Sequence, residues 1–118
     1  MPGSSKYQDL EERTFRFAAN CRDFVRHLPK TIGNENDAKQ LIRSSGSVAA
    51  NYIEANEALG KKDRVMRMRI SLKEAKESHL WLRLLQPHNP DQETLRAELQ
   101  QEAHELRLIF STILGKLQ

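Results

Sequence analysis

Apolar residues recur at three- and four-residue spacing over four stretches of the chain, the period that gathers side chains on one face of an α-helix. In the first stretch Leu10, Phe17, Ala18, Cys21, Phe24, Val25 and Leu28 share a face, predicting a helix over about Gln8 to Leu28. Asp9, Glu11 and Glu12 suit the positive end of its dipole, and Pro29 pushes the preceding residue out of the α region. The second stretch has the stripe Ala38, Leu41, Ile42, Ser45, Val48, Ala49, Tyr52 and Ile53, with Asn34 or Asn36 as the cap. Gly60 stands where a left-handed C-cap is expected to close that helix. The centre of helix two is small, running Ser44, Ser45, Gly46, Ser47, Ala49, Ala50. A glycine there costs about 1 kcal/mol against alanine, which close approach of a neighbouring helix would offset.

The third helix is predicted from near Asp63 to about Gln86, stopped by Pro87, with the stripe Val65, Met68, Leu72, Ala75, His79 and Leu82. Met66, Ile70, Trp81, Leu84 and Leu85 lie well off that stripe. A helix apolar over much of its circumference is covered on more than one side. Self-association, or a ligand groove, would supply that cover. The fourth helix is predicted from Asp91, capped by Asp91 with Thr94, and carries Leu95, Leu99, Glu102, Leu106, Ile109, Phe110, Ile113 and Leu117. Glu102 interrupts this stripe with a carboxylate. It either finds a partner on another helix or bends to solvent at a groove edge.

Four amphipathic helices with short connections predict an all-α fold, an up-down-up-down antiparallel four-helix bundle. No segment alternates as a strand does. The 118 residues make one domain, with residues 8–118 in the bundle and residues 1–7 a flexible N-terminus. The single cysteine cannot form an internal disulfide, and on an apolar face it reads as a small core residue. Apolar runs are too short to span a bilayer, and Met1 to Lys6 lacks the apolar core of a secretory signal, so a cytoplasmic location is expected.

A catalytic centre is not legible. No Glu has a His three residues on, as di-iron bundles require, so no metal or other cofactor is expected. The five glycines are scattered and form no phosphate-cradling loop. Ser44 to Ser47 lie inside a helix with no paired base, and read as packing residues. The expectation is a protein without enzymatic activity.

Charge is uneven along the chain. The total is +3, but residues 60–83 carry eight Lys/Arg against three acids, a local +5. Residues 34–59 and 91–118 each come to −2. Lys62, Arg69, Lys76 and Arg83 recur every seven residues as one slowly drifting stripe, with Lys61, Arg64, Arg67 and Lys73 around it. Such a stripe could neutralise the phosphates of RNA or DNA. The alternative is a solvated flank with intrahelical pairs such as Lys73 with Glu77. Arg43 and Glu54 project from one side of helix two beside Ser47 and Ala50, and Glu74 on helix three is a candidate to meet Arg43.

Two blocks carry a family resemblance. The run Leu41 to Ala55 holds Arg43, Ser47, Asn51 and Glu54, and the run Ile70 to Leu85 holds Lys73, Glu74, Glu77 and Trp81. Together they resemble the bacterial 23S rRNA-intervening-sequence proteins, with helices one and four agreeing in pattern only. The resemblance implies a homo-oligomer, a pentamer, with no established enzymatic activity. A similar bundle serves diversity-generating retroelements, where a basic pentameric barrel works with a reverse transcriptase and nucleic acid. It thus also implies a nucleic-acid-processing protein as an alternative partner. Val65 stands where many relatives carry an aromatic, and Met66 replaces a smaller residue, so packing is expected to differ there.

Overall fold

In the computed structural model, which describes residues 6–118, four helices account for the regular structure: α1 Lys6–Arg26, α2 Ile32–Glu57, α3 Lys61–Leu84 and α4 Pro90–Leu117. Among the described residues there is no strand. Helix α1 already includes Lys6 and Tyr7, and the rest of the expected flexible N-terminus, residues 1–5, lies outside the described residues. Among the described residues no helix is long and apolar enough to cross a membrane.

The helix ends differ from expectation because better caps lie a few residues earlier. Thr31 caps α2, its hydroxyl accepting from the Asn34 N–H at 3.1 Å. Asn34 is instead buried. Its amide donates to the carbonyls of Pro29 and Gln86 at 3.0 Å and accepts from the Gln86 N–H at 2.9 Å, tying the α1–α2 turn to the end of α3. Asn89, not Asp91 with Thr94, caps α4, with Pro90 in the first turn where its missing N–H costs nothing. Gly60 is not a left-handed C-cap. Its φ is −121°, it precedes α3 as the N-cap, and α2 closes at Ala58.

Each helix packs on its neighbours in sequence, and α1 closes against α4, while the backbones of the diagonal pairs α1–α3 and α2–α4 stay apart. Connections as short as residues 27–31, 58–60 and 85–89 return the chain antiparallel, as in an up-down four-helix bundle. The Cα envelope measures 44 × 30 × 18 Å. The core holds Phe17, Leu41, Tyr52, Met68, Leu82, Leu106 and Phe110, each essentially inaccessible. A fully buried side chain of this size contributes roughly 1.5–3 kcal/mol. The Tyr52 and Phe110 rings stack with centroids 5.9 Å apart.

Helix α3 presents a different buried face from the one its apolar pattern suggests. Ser71, Glu74 and Ser78 are buried with Met68, Ala75 and Leu82, whereas Val65, Leu72 and His79 are only half-buried. The cause is the small centre of α2. Ser44 and Ser78 hydroxyls meet at 2.8 Å, and the Ser71 hydroxyl donates to the Val48 carbonyl at 3.1 Å, so the two helices close on serines. Gly46 is not at this contact. A side chain there would meet only the tip of Arg22, at 3.2 Å. Cys21 is fully buried, and burial pushes its thiol up to about 12 against the opposing hydrogen bond to Ser45. It is an inert core residue.

Between α1 and α4 runs a groove of about 910 Å³, lined in part by Phe17, Phe24, Leu95 and Leu99. Glu102 sits at its edge and has a partner on another helix. Arg13 of α1 donates from Nε and Nη2 to the two Glu102 carboxylate oxygens at 2.7 Å, and from Nη2 to Glu105 at 2.9 Å. These hydrogen bonds, Glu102 foremost, hold the guanidinium charged against the opposing effect of burial.

Candidate nucleic-acid interface

The two blocks that carry the family pattern face one another along the α2–α3 seam. Arg43 of α2 donates to both oxygens of Glu74 on α3, at 3.2 Å each, and also to Glu77 at 3.2 Å. Glu74 is 5% exposed, so the pair places a carboxylate in the seam and an arginine over it. Hydrogen bonding to Glu74 is the main cause that raises the pKa of Arg43. About two turns on, the Asn51 amide donates to the Ser47 carbonyl and hydroxyl at 3.0 Å, and its oxygen accepts from Arg67 at 3.2 Å. Trp81 is half-buried against the core, its indole N–H buried without an acceptor. Glu54 lies exposed on the outer side of α2 with no ion pair.

This seam sorts the basic residues of α3 into two groups. Arg64 and Arg67 are engaged within the chain: Arg64 donates to the Ala58 carbonyl at 2.9 Å and closes the end of α2, and Arg67 binds Asn51 and approaches Asp63 at 3.9 Å. Lys61, Lys62, Arg69, Lys73, Lys76 and Arg83 are exposed and, among the described residues, make no hydrogen bond or ion pair through their side chains. The expected Lys73–Glu77 pair does not form, because Glu77 turns to Arg43. All three acids of α3 are thus directed to Arg43 or Arg67, and the outer stripe keeps its full positive charge.

The stripe is wider than the sequence suggested. Across the α3–α4 seam His104 and Arg107 of α4 come close enough to His79 to disfavour its protonation, together with Arg83 and, above all, burial. Arg96 of α4 donates to the carbonyls of Leu82 and Arg83 at 3.4 and 3.2 Å, satisfying the last turn of α3. These α4 residues were missed because their own helix segment is net acidic. Only the packing of α4 on α3 joins their positive edge to the stripe.

Apolar side chains border the cations. Met66, Leu80 and Leu84 are 46%, 43% and 49% exposed, and Ile70 and Trp81 are half-buried beside them. Leu85, expected among this set, turns into the core instead, where the chain leaves the helix. Among the described residues no three His, Cys, Asp or Glu side chains converge as metal ligands would.

The arrangement is that of an all-α bundle whose polar seam is fixed by Arg43 over the buried Glu74 carboxylate and whose outer α3 face is cationic. The chain belongs to the 23S rRNA-intervening sequence protein family, whose model matches residues 7–112. Its fold is similar to a crystal structure from Bacteroides thetaiotaomicron VPI-5482, a protein of unknown function from the S23 ribosomal protein family. The TM-score is 0.77 at 24% identity, covering 94% of this chain and 99% of that one. No curated protein matches the chain.

Proposed function

We propose that this protein is a non-enzymatic homo-oligomer, a pentamer, that binds structured RNA or DNA through the outer stripe of α3. The observation that carries the reading is the set of six exposed, unpaired cations, Lys61, Lys62, Arg69, Lys73, Lys76 and Arg83, beside acids already engaged elsewhere. Cations without local partners are free to replace the counterions of a phosphate backbone. The RNA in the family's name supports the same reading. The exposed Met66, Leu80 and Leu84, with Ile70 and Trp81, support self-association on the α2–α3 side. The setting is the cytoplasm.

Fluorescence-anisotropy titration of labelled rRNA fragments at low salt tests the binding, and light scattering tests the assembly. Saturable binding by a pentamer is expected. A monomer, or a protein that leaves RNA and DNA untouched, contradicts the reading. The partial exposure of Leu80 and Leu84 among the cations favours one second reading: an accessory subunit for a nucleic-acid-processing protein. Co-purification of such an enzyme, lost on Leu84→Glu, would select it.

A further inference from the structure

Helices α1 and α4 are the most loosely packed neighbours in the bundle, and the groove of about 910 Å³ between them is bridged at two points. At one, Arg13 of α1 reaches across to Glu102 and Glu105 of α4, at 2.7 and 2.9 Å. At the other, the Gln92 side chain of α4 donates to the His27 carbonyl. From Arg13 to the end of α1 at Arg26 the helix rises about 20 Å, so the stretch between the bridges has room for roughly four helical turns. Phe17 and Phe24 of α1 and Leu99 of α4 are buried at its floor, and Leu95 on its α4 wall is 49% exposed.

The walls of this groove are acidic. Five carboxylates line it, Asp9, Glu12, Asp23, Glu98 and Glu102, against two arginines, Arg13 and Arg16, a net −3. Both arginines are engaged, Arg13 by Glu102 and Glu105, and Arg16 by Glu12 at 3.2 Å. Asp23 meets Arg26 at 3.3 Å in a pair whose side chains are both 67% exposed, which leaves the carboxylate open to a second cation. Among the described residues Asp9 and Glu98 make no hydrogen bond or ion pair through their side chains. An apolar floor between carboxylates repels a phosphate backbone and matches a segment that is apolar along its centre and cationic along its margins. Because α1 packs on α2 and α4, the groove lies across the bundle from the α2–α3 seam.

We propose that the α1–α4 groove is a docking site for a basic amphipathic helix of a partner protein. The charge of the walls fixes the sign of the partner, and the shape fixes its conformation. An extended segment laid on Phe17, Phe24 and Leu95 would find no strand edge to pair with, whereas a helix satisfies its own backbone and presents one apolar stripe. Its apolar anchors, three and four residues apart, seat on that floor, and Lys or Arg on its flanks reach Asp23 on one wall and Glu98 on the other. The α3 helix of a second copy also carries cations beside Met66 and Leu84, but its outer face is the one that meets phosphate, so the occupant is a different protein. The site goes beyond the nucleic-acid reading and stands without it. With both, one molecule holds a polyanion on α3 and a cationic protein segment on the opposite side.

The test titrates the full chain into a labelled synthetic helix of roughly four turns, with leucines on one stripe and lysines on both flanks. Ionic strength is held at about 0.15 M, where loose attraction between exposed charges is largely screened. Saturable binding is expected, and Asp23→Lys/Glu98→Lys, at two exposed positions, should weaken it about tenfold or more. Leu95→Ser should weaken it as well, through the apolar floor. A peptide of the same composition with its stripe scrambled, and one with glutamate for every lysine, should bind far more weakly. No binding of the basic helix, equal binding of the scrambled peptide, or equal affinity for the wild type and Asp23→Lys/Glu98→Lys overturns the proposal. Circular dichroism checks that each variant is folded, and light scattering follows its mass. An unchanged mass is expected. Loss of self-association in Leu95→Ser or Asp23→Lys/Glu98→Lys would give the groove to a second copy and overturn the partner. RNA binding measured alongside keeps the two readings apart: its absence in the wild type overturns the α3 stripe alone, and the peptide titration still decides the groove.

Discussion

Arg43 and Glu74 join α2 to α3 through two hydrogen bonds of 3.2 Å, with the arginine side chain 53% exposed and the carboxylate side chain 6%. The asymmetry predicts unequal consequences. Arg43→Ala leaves a carboxylate in the seam without its principal donor and should cost about 1–3 kcal/mol. Arg43→Met/Glu74→Leu removes both charges and should recover most of that loss. Urea unfolding of the two variants measures the difference. Equal destabilisation by both would show that packing, not the uncompensated charge, sets the cost.

Ser78 and Gly46 predict opposite outcomes for added volume. Ser78 is fully buried, with its hydroxyl 2.8 Å from that of Ser44, so Ser78→Leu should overpack the α2–α3 contact and cost about 1–3 kcal/mol or more. Gly46→Ala meets only the end of Arg22, a flexible side chain, and gains helix propensity. It should stabilise by up to about 1 kcal/mol. Thermal unfolding followed by circular dichroism distinguishes the two shifts in sign.

Acid should weaken the fold in two separable steps. Burial above all, with Arg83, His104 and Arg107 nearby, holds His79 below its ordinary 6.5, so the unfolded chain binds that proton first. Stability therefore falls as pH drops from 6.5 towards the lowered value of the folded state. Glu105 is held below its ordinary 4.5 by hydrogen bonds from Gln101 and Arg13, and its contribution is present above 4.5 and lost as pH falls through its lowered folded value. In denaturant midpoints measured across this range, His79→Gln should remove the upper step and Glu105→Gln the lower. Identical profiles for all three proteins would contradict both assignments.

Most of the fold is legible because each helix advertises its period and its stop. Phe17, Phe24, Leu41, Leu82, Leu106 and Phe110 fall on the predicted faces and are buried there. The stripe of α3 was harder to read, since Ser71 and Ser78 carry no hydrophobic signal and are buried only because α2 is small opposite them. The partnership of Glu74 with Arg43 followed from their positions off the core stripes. The partner of Glu102 did not, because Arg13 lies on the first helix and 89 residues separate the two. The effect of His104 and Arg107 on His79 was invisible for the same reason: the two belong to an acidic segment and reach α3 only through tertiary packing. Helix ends were misplaced because several Asn, Asp and Thr residues compete as caps, and backbone geometry alone selects Thr31 and Asn89.

The central claim, that the outer stripe of α3 meets a phosphate backbone, is tested most directly by the salt dependence of RNA binding. The comparison is between the wild type and Lys62→Glu/Arg69→Glu/Lys76→Glu/Arg83→Glu, four exposed positions whose substitution leaves the core and the Arg43–Glu74 seam untouched. If these four side chains each contact a phosphate of a single strand, the logarithm of the wild-type affinity should fall with the logarithm of salt concentration at a slope of about −3 or steeper. The variant should stay folded and lose binding at every salt concentration. Equal affinity and equal slope for the two proteins would contradict the account.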